Sequence, residues 1–201
     1  MKTKKMMKSI LPQSFYARNT VTIARDLLGK QLICHIDGII REGIIVEAEA
    51  YCSDNDPASH AFSGKTKRNT AMFGPAGHAY IYFIYGNHYC FNIVAKEDAV
   101  NAGAVLIRAI EPIIGIEHMQ KARGNHQTNI NLTNGPGKLT QAFNINLSHN
   151  NCNLTKKEKL WIVEDHNTES MVTVCTPRIG IKSATDYIWR FYIKDNPWVS
   201  R

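Results

Sequence analysis

The segment from Ile39 to Tyr51, Ile-Ile-Arg-Glu-Gly-Ile-Ile-Val-Glu-Ala-Glu-Ala-Tyr, constrains this chain more than any other stretch. It reads as one long strand, and side chains on a strand alternate between two faces. Ile44, Val46, Ala48 and Ala50 then share an apolar face, while Ile45, Glu47, Glu49 and Tyr51 share the opposite one. The apolar back demands a packed layer behind it. The two carboxylates and the tyrosine on the front read either as a solvated outer face, the ordinary place for strand carboxylates, or as the wall of a pocket. The residues downstream of this strand favour the wall.

The pattern around this strand predicts a helix over Thr20 to Leu28, closed by Gly29 in a left-handed conformation. Strands follow at Gln31 to His35, Ala79 to Tyr85, Tyr89 to Ala95 and Ala104 to Glu111, with Tyr85-Gly86-Asn87-His88 as a tight hairpin connection. Pro112 opens a helix through Ile116, Met119 and Gln120 that ends before Gly124. A polar loop from Asn125 to Thr133 precedes Gly135-Pro136-Gly137-Lys138 and a short helix, Leu139 to Phe143. Late strands are expected at Leu160 to Val163, Met171 to Cys175 and Trp189 to Ile193. No repeat or long linker divides the chain. The expectation is one α+β domain over residues 1–201 around a largely antiparallel sheet, with 1–14 a loosely ordered basic segment.

Composition narrows the partners. Hydrophobic residues make up 44% of the chain, yet no stretch approaches the ~20 apolar residues of a membrane span. The basic start breaks at Pro12-Gln13, too soon for a secretory leader, so the expected address is cytoplasmic. Five scattered cysteines without a C-x-x-C pair fit reduced, buried thiols. The eight histidines show no H-E-x-x-H pattern and no zinc-deaminase signature, so no metal is expected. With 24 Lys and Arg against 17 Asp and Glu the net charge is +7, which favours a polyanionic partner, nucleic acid being the commonest.

Four pieces between Glu47 and Pro112 carry chemistry. Glu49 and Tyr51 share a strand face, and His60 follows nine residues after Tyr51. Lys65-Thr66-Lys67-Arg68-Asn69 is a basic, hydroxyl-bearing loop suited to phosphate contacts. In Tyr80-Ile81-Tyr82-Phe83-Ile84-Tyr85, Tyr80 and Tyr82 share a face, and Tyr85 at the turn is free to protrude. Arg108 interrupts the apolar run Val105 to Ile110 and needs an anionic partner, for which Glu47 is the obvious candidate. A carboxylate, aromatic plates, a histidine, an arginine, a basic rim and a protruding turn are the equipment for drawing one base out of a duplex.

These residues, with Met72-Phe73-Gly74-Pro75, Asn92, Leu106 to Pro112, Gly135 to Leu139, Pro177 to Ile181 and Pro197 to Ser200, resemble the alkyladenine (3-methyladenine) DNA glycosylase family. The likeness begins near Ala24 and covers nearly the whole chain. It implies a compact domain on a curved sheet with flanking helices, of the kind also seen in formyltransferase C-terminal domains. It further implies a monomeric, monofunctional enzyme that needs no cofactor and removes alkylated or deaminated purines from double-stranded DNA, cytoplasmic or, in a bacterium, nucleoid-associated. By the same resemblance Glu49 activates water, and Arg108 stands beside it near the target phosphate. Tyr51, His60 and Tyr82 enclose the flipped base, Asn92 helps select among purines, and Tyr85 intercalates. Leu106, Arg68 and Lys138 lie on the DNA-binding side. Ala76 and Asn87 depart from the family pattern, which commonly has proline and an apolar residue there.

Two other readings compete. A lesion-binding protein without catalysis could keep the fold but would have little use for Glu49, Tyr51, His60 and Arg108 together. A metal-dependent hydrolase could draw on Glu49, Cys52 and His60, but their spacing is not a standard ligand pattern, and Cys52 has the opposite strand parity from Glu49.

Overall fold

The computed structural model describes residues 8–84, 86, 88–125, 127–164 and 171–200. In chain order the elements are α1 (Gln13–Tyr16), α2 (Thr20–Asp26), β1 (Gln31–Ile36), β2 (Ile39–Cys52), β3 (Ala79–Ile84), β4 (His88–Val94) and β5 (Gly103–Ile114). Then come α3 (Ile116–Ala122), α4 (Pro136–Phe143), β6 (Leu160–Val163), β7 (Thr173–Thr176) and β8 (Arg190–Ile193). Helix α2 begins where Asn19 accepts hydrogen bonds from the N–H groups of Val21 and Thr22, a side-chain cap on otherwise orphaned donors. Gly29 follows it with φ +80°, as the sequence predicted.

Every strand pairing is antiparallel, in the order β3-β4-β5-β2-β1-β6, with β8 added to β2 and β7 to β8. Strand β2 organises the sheet. One edge pairs with β5 from Glu42 to Cys52, while the other holds β1 as far as Ile44 and β8 from Glu47 to Glu49. A strand that trades partners halfway along must bend, and the sheet curls around it. Close approach of the two long strands explains Gly43, where a Cβ would sit 2.6 Å from the Glu111 carbonyl oxygen.

Two register slips shape the middle of the β2–β5 ladder. Ile45 pairs with Ile110 and Glu47 with Ala109, which leaves Val46 as an extra residue on β2. Ala48 then pairs with Ile107, which leaves Arg108 as the extra residue on β5. Bulges of this kind bend strands and re-aim side chains. They also correct the simple alternation: Ile45 joins Val46, Ala48 and Ala50 in the main core, and only Glu47, Glu49 and Tyr51 keep the opposite face.

That core fills the back of the sheet, where α2 packs on β2 and β5 and α4 on β4 and β5. A smaller cluster of Ala61, Ala71, Met72, Tyr80, Val94, Ala102 and Ala104 lies against Tyr51 and Tyr82. Pro112 does not open a helix. It extends β5, beyond the stretch Ala104–Leu106 that pairs with β4, so its missing N–H breaks no ladder on that side. Helix α3 starts only after Gly115, at φ +79°. Helix α4 starts three residues earlier than predicted because Pro136 suits a first turn. Residues 8–14 are docked and not loose, since Ile10 bridges Val163 and Leu11 is buried; residues 1–7 lie outside the described residues. No helix among the described residues is long and apolar enough to cross a membrane.

Candidate active site

The curl of β2, β3, β4 and β5 leaves a cavity of about 390 Å³ on the sheet's front, within the size range of small-ligand sites. Tyr51 and Tyr82 stand in its wall with Asn92, Leu106 and Arg108. His60 and Arg68 line it as well, and the loop Ile179-Gly180-Ile181 closes another side. Strand parity places most of these: Tyr80 and Tyr82 alternate onto one face with ring centroids 5.3 Å apart. Tyr80, which the sequence places beside Tyr82 without a role in the pocket, also lines the cavity, and its hydroxyl lies 3.0 Å from His60 Nδ1 and fixes that ring. The His60 ring meets Tyr82 edge-on at 4.7 Å. Desolvation, then the nearby Arg68 charge, pushes the His60 pKa below its ordinary value.

Glu49 stands behind this wall, fully buried, and not in it. Sequence parity placed it facing the cavity; Tyr51, Arg108 and Ile179, all wall residues, close over it instead. Each of the three donates to it. Oε2 accepts from the Tyr51 hydroxyl (2.8 Å) and from Arg108 Nη1 (3.3 Å), and Oε1 accepts from the Ile179 backbone N–H (2.8 Å). Among the described residues Oε2 thus accepts two hydrogen bonds and Oε1 one.

Arg108 bridges both acids, with Nε 3.0 Å from Glu47 Oε1 and Nη2 3.3 Å from Ser200 Oγ. Desolvation works against its charge, but Glu49 and Glu47 outweigh it and push its pKa up. Glu47 is the structural partner the sequence suggested, and more: it also accepts from Arg190 Nε (2.6 Å), Ser200 N (2.6 Å) and Ser200 Oγ (2.9 Å). The last residues of the chain thus seal the ionic cluster, a contact that nothing local in the sequence announces. Burial, then Glu49, raises the Tyr51 pKa, so its phenol remains a donor.

Asn92, in the wall, donates its amide protons to the Tyr80 and Cys90 carbonyls (3.0 and 3.4 Å). The Arg68 guanidinium stacks 5.4 Å from the Tyr82 ring centroid at the rim. Lys138 is not in the wall; it follows Pro136, which is, and donates to Asn134 (2.8 Å). Tyr85 and Asn87 lie outside the described residues. Ala76 is packed in the core, away from the cavity. Cys52 lines a separate cavity with Trp189, so Glu49, Cys52 and His60 do not converge, and no three His, Cys, Asp or Glu side chains among the described residues could hold a metal ion.

The cavity is thus lined by tyrosine rings with Arg68 at its rim, and a carboxylate caged by donors lies behind its wall. The chain belongs to the methylpurine-DNA glycosylase family, whose model matches residues 14–197, and it is thereby a DNA glycosylase that binds DNA. Over 192 residues it is 47% identical to a Carboxydothermus hydrogenoformans protein named "Putative 3-methyladenine DNA glycosylase", an alignment covering 96% of this chain and 99% of that one. A protein of the same name from Clostridium acetobutylicum is 48% identical over 201 residues (94% and 97% covered), and one from Methanoculleus marisnigri is 45% identical over 194 (95% and 98%).

Proposed function

We propose that this enzyme removes alkylated or deaminated purines from duplex DNA by hydrolysis of the N-glycosidic bond, with the damaged nucleotide turned out of the helix into the cavity. The bond between C1′ and the purine nitrogen breaks, and the base leaves with the electron pair. Water adds to C1′, its proton passes to Glu49, and an abasic site remains. The observation that carries this reading is the Glu49 carboxylate held by three donors that belong to residues of the cavity wall, Tyr51, Arg108 and Ile179.

A purine alkylated at N3 or N7 is cationic and leaves as a neutral base, so the protein's work falls mainly on water and sugar. Glu49 as general base supplies roughly 10²–10⁴-fold, and its charge stabilises the oxocarbenium-like sugar. Arg108 and Tyr51 hold the carboxylate still. Tyr51 and Tyr82 offer flat surfaces to the purine, and His60 contacts the 5′ phosphate or sugar side. Among the described residues no lysine lines the cavity wall, which supports hydrolysis without a Schiff base or strand cleavage. Arg68 and Lys138 contact the backbone. Eversion costs a few kcal/mol, least for a damaged pair.

The test is quantitative release of free bases from methylated duplex DNA by the purified protein, with and without chelator. The proposal expects methylpurines in the supernatant, no effect of chelator, and strands that stay intact until alkali is added. Tight lesion binding without any free base would leave only the non-catalytic reading.

A further inference from the structure

The proposed hydrolysis uses neither Arg178 nor Asp56, yet among the described residues they form the only ion pair with both side chains wholly enclosed. Arg178 donates from Nη1 to Asp56 Oδ2 (2.7 Å) and from Nη2 to Asp56 Oδ1 (2.6 Å). Nη1 also reaches the Ala50 carbonyl at 2.9 Å. The guanidinium lies over two rings, 4.6 Å from the Tyr51 centroid and 5.2 Å from that of Trp189. Asp56 in turn accepts from the N–H groups of Cys52 (3.1 Å) and Ala58 (3.3 Å), which fixes the turn leading to His60.

The contacts of Arg178 lead back to Glu49. Ala50 is the next residue on β2. Tyr51 donates to Glu49 Oε2, and Ile179, the residue after Arg178, donates its N–H to Oε1. A buried ion pair is a poor stabiliser relative to apolar packing of the same volume, so its presence here calls for a geometric reason. The bidentate fork and the stacked plane are available to arginine and not to lysine.

We infer that Arg178 is a positioning residue for Glu49, clamped by Asp56 so that the 177–181 loop and the Tyr51 ring hold the carboxylate in the orientation in which it activates water. This rests on the function proposed for Glu49. Loss of the clamp lets Ile179 N–H drift, and a displacement of about 1 Å in such a site costs about 10²-fold in rate.

Arg178→Lys and Asp56→Asn test it, with base release measured under single turnover and normalised to the fraction of protein that binds abasic-site duplex. We expect both variants to lose about 10²-fold in the maximal release rate with half-saturation by DNA shifted only a few-fold. In a Glu49→Gln background either substitution should then cost little more, because the group being positioned is gone. Release at the wild-type rate, or a loss that is fully additive with Glu49→Gln, would overturn the inference, as would equal losses in binding and release, the mark of a purely structural staple. If Glu49→Gln itself releases base normally, the function proposed for Glu49 fails first, and the two failures are told apart.

Discussion

Glu47→Gln is the perturbation whose cost follows most directly from the geometry. Glu47 is fully buried and accepts four hydrogen bonds, from Arg108, Arg190 and twice from Ser200. The amide keeps the volume but removes the charge. If its oxygen takes the Oε1 position, its NH₂ faces the Ser200 N–H across 2.6 Å, donor against donor. Arg108 and Arg190 both keep an oxygen at that position, but only Arg108 retains a carboxylate, Glu49 at 3.3 Å, while the other partners of Arg190, Thr176 Oγ1 (3.1 Å) and the Ser200 carbonyl (3.4 Å), are neutral. Removing one partner of a buried ionic cluster costs about 3–5 kcal/mol. That is a large fraction of the ~5–15 kcal/mol that holds a domain folded. For a chain of this length 1 kcal/mol moves Tm by about 2–4 °C, so the variant should melt about 6–20 °C lower. Circular dichroism or calorimetric melting measures this. Glu47→Gln with Arg190→Gln should recover part of the loss, since the stranded cation is gone too. A drop of less than about 2 °C in the single variant would refute the claim that Glu47 anchors this cluster.

Other consequences are less elaborate. Tyr51→Phe keeps the aromatic wall and deletes one donor to Glu49; a hydrogen bond to a charged group is worth about 1.5–3 kcal/mol, so single-turnover base release should slow by about 10–100-fold while lesion binding persists. Cys90 lies in the cavity wall, where burial pushes its thiol up to about 11, so its alkylation followed by mass spectrometry should be slow at neutral pH and climb with pH above the ordinary thiol range. Rapid labelling at pH 7 would contradict that placement. Arg68→Ala and Lys138→Ala should each flatten the dependence of log Kd on log salt by about one. An unchanged slope would remove that residue from the backbone-contacting set.

Much of this site could be read from the sequence because it is local. Glu49 and Tyr51 share a face by alternation, as do Tyr80 and Tyr82, and no tertiary information is needed to say so. Alternation failed at Ile45 because a bulge inserts Val46, and register slips leave no mark in a single sequence. Pro112 was misread as a helix start because nothing local reveals that β5 runs past the last residue paired with β4. The deeper misses are long-range. Arg178 finds Asp56 across 122 positions, and Ser200 finds Glu47 across 153. Both segments stood out only through resemblance, with no chemical role attached. Full burial of Glu49 was equally invisible, since it depends on Ile179 arriving from a distant loop.

The central claim is that the Glu49 carboxylate activates water in catalysis and is not merely part of a lesion-binding surface. Glu49→Gln separates the two when free base and affinity for abasic-site duplex are measured on the same preparation. The account predicts that release falls by roughly 10²-fold or more while affinity changes only a few-fold. Base release at the wild-type rate from that variant would contradict it.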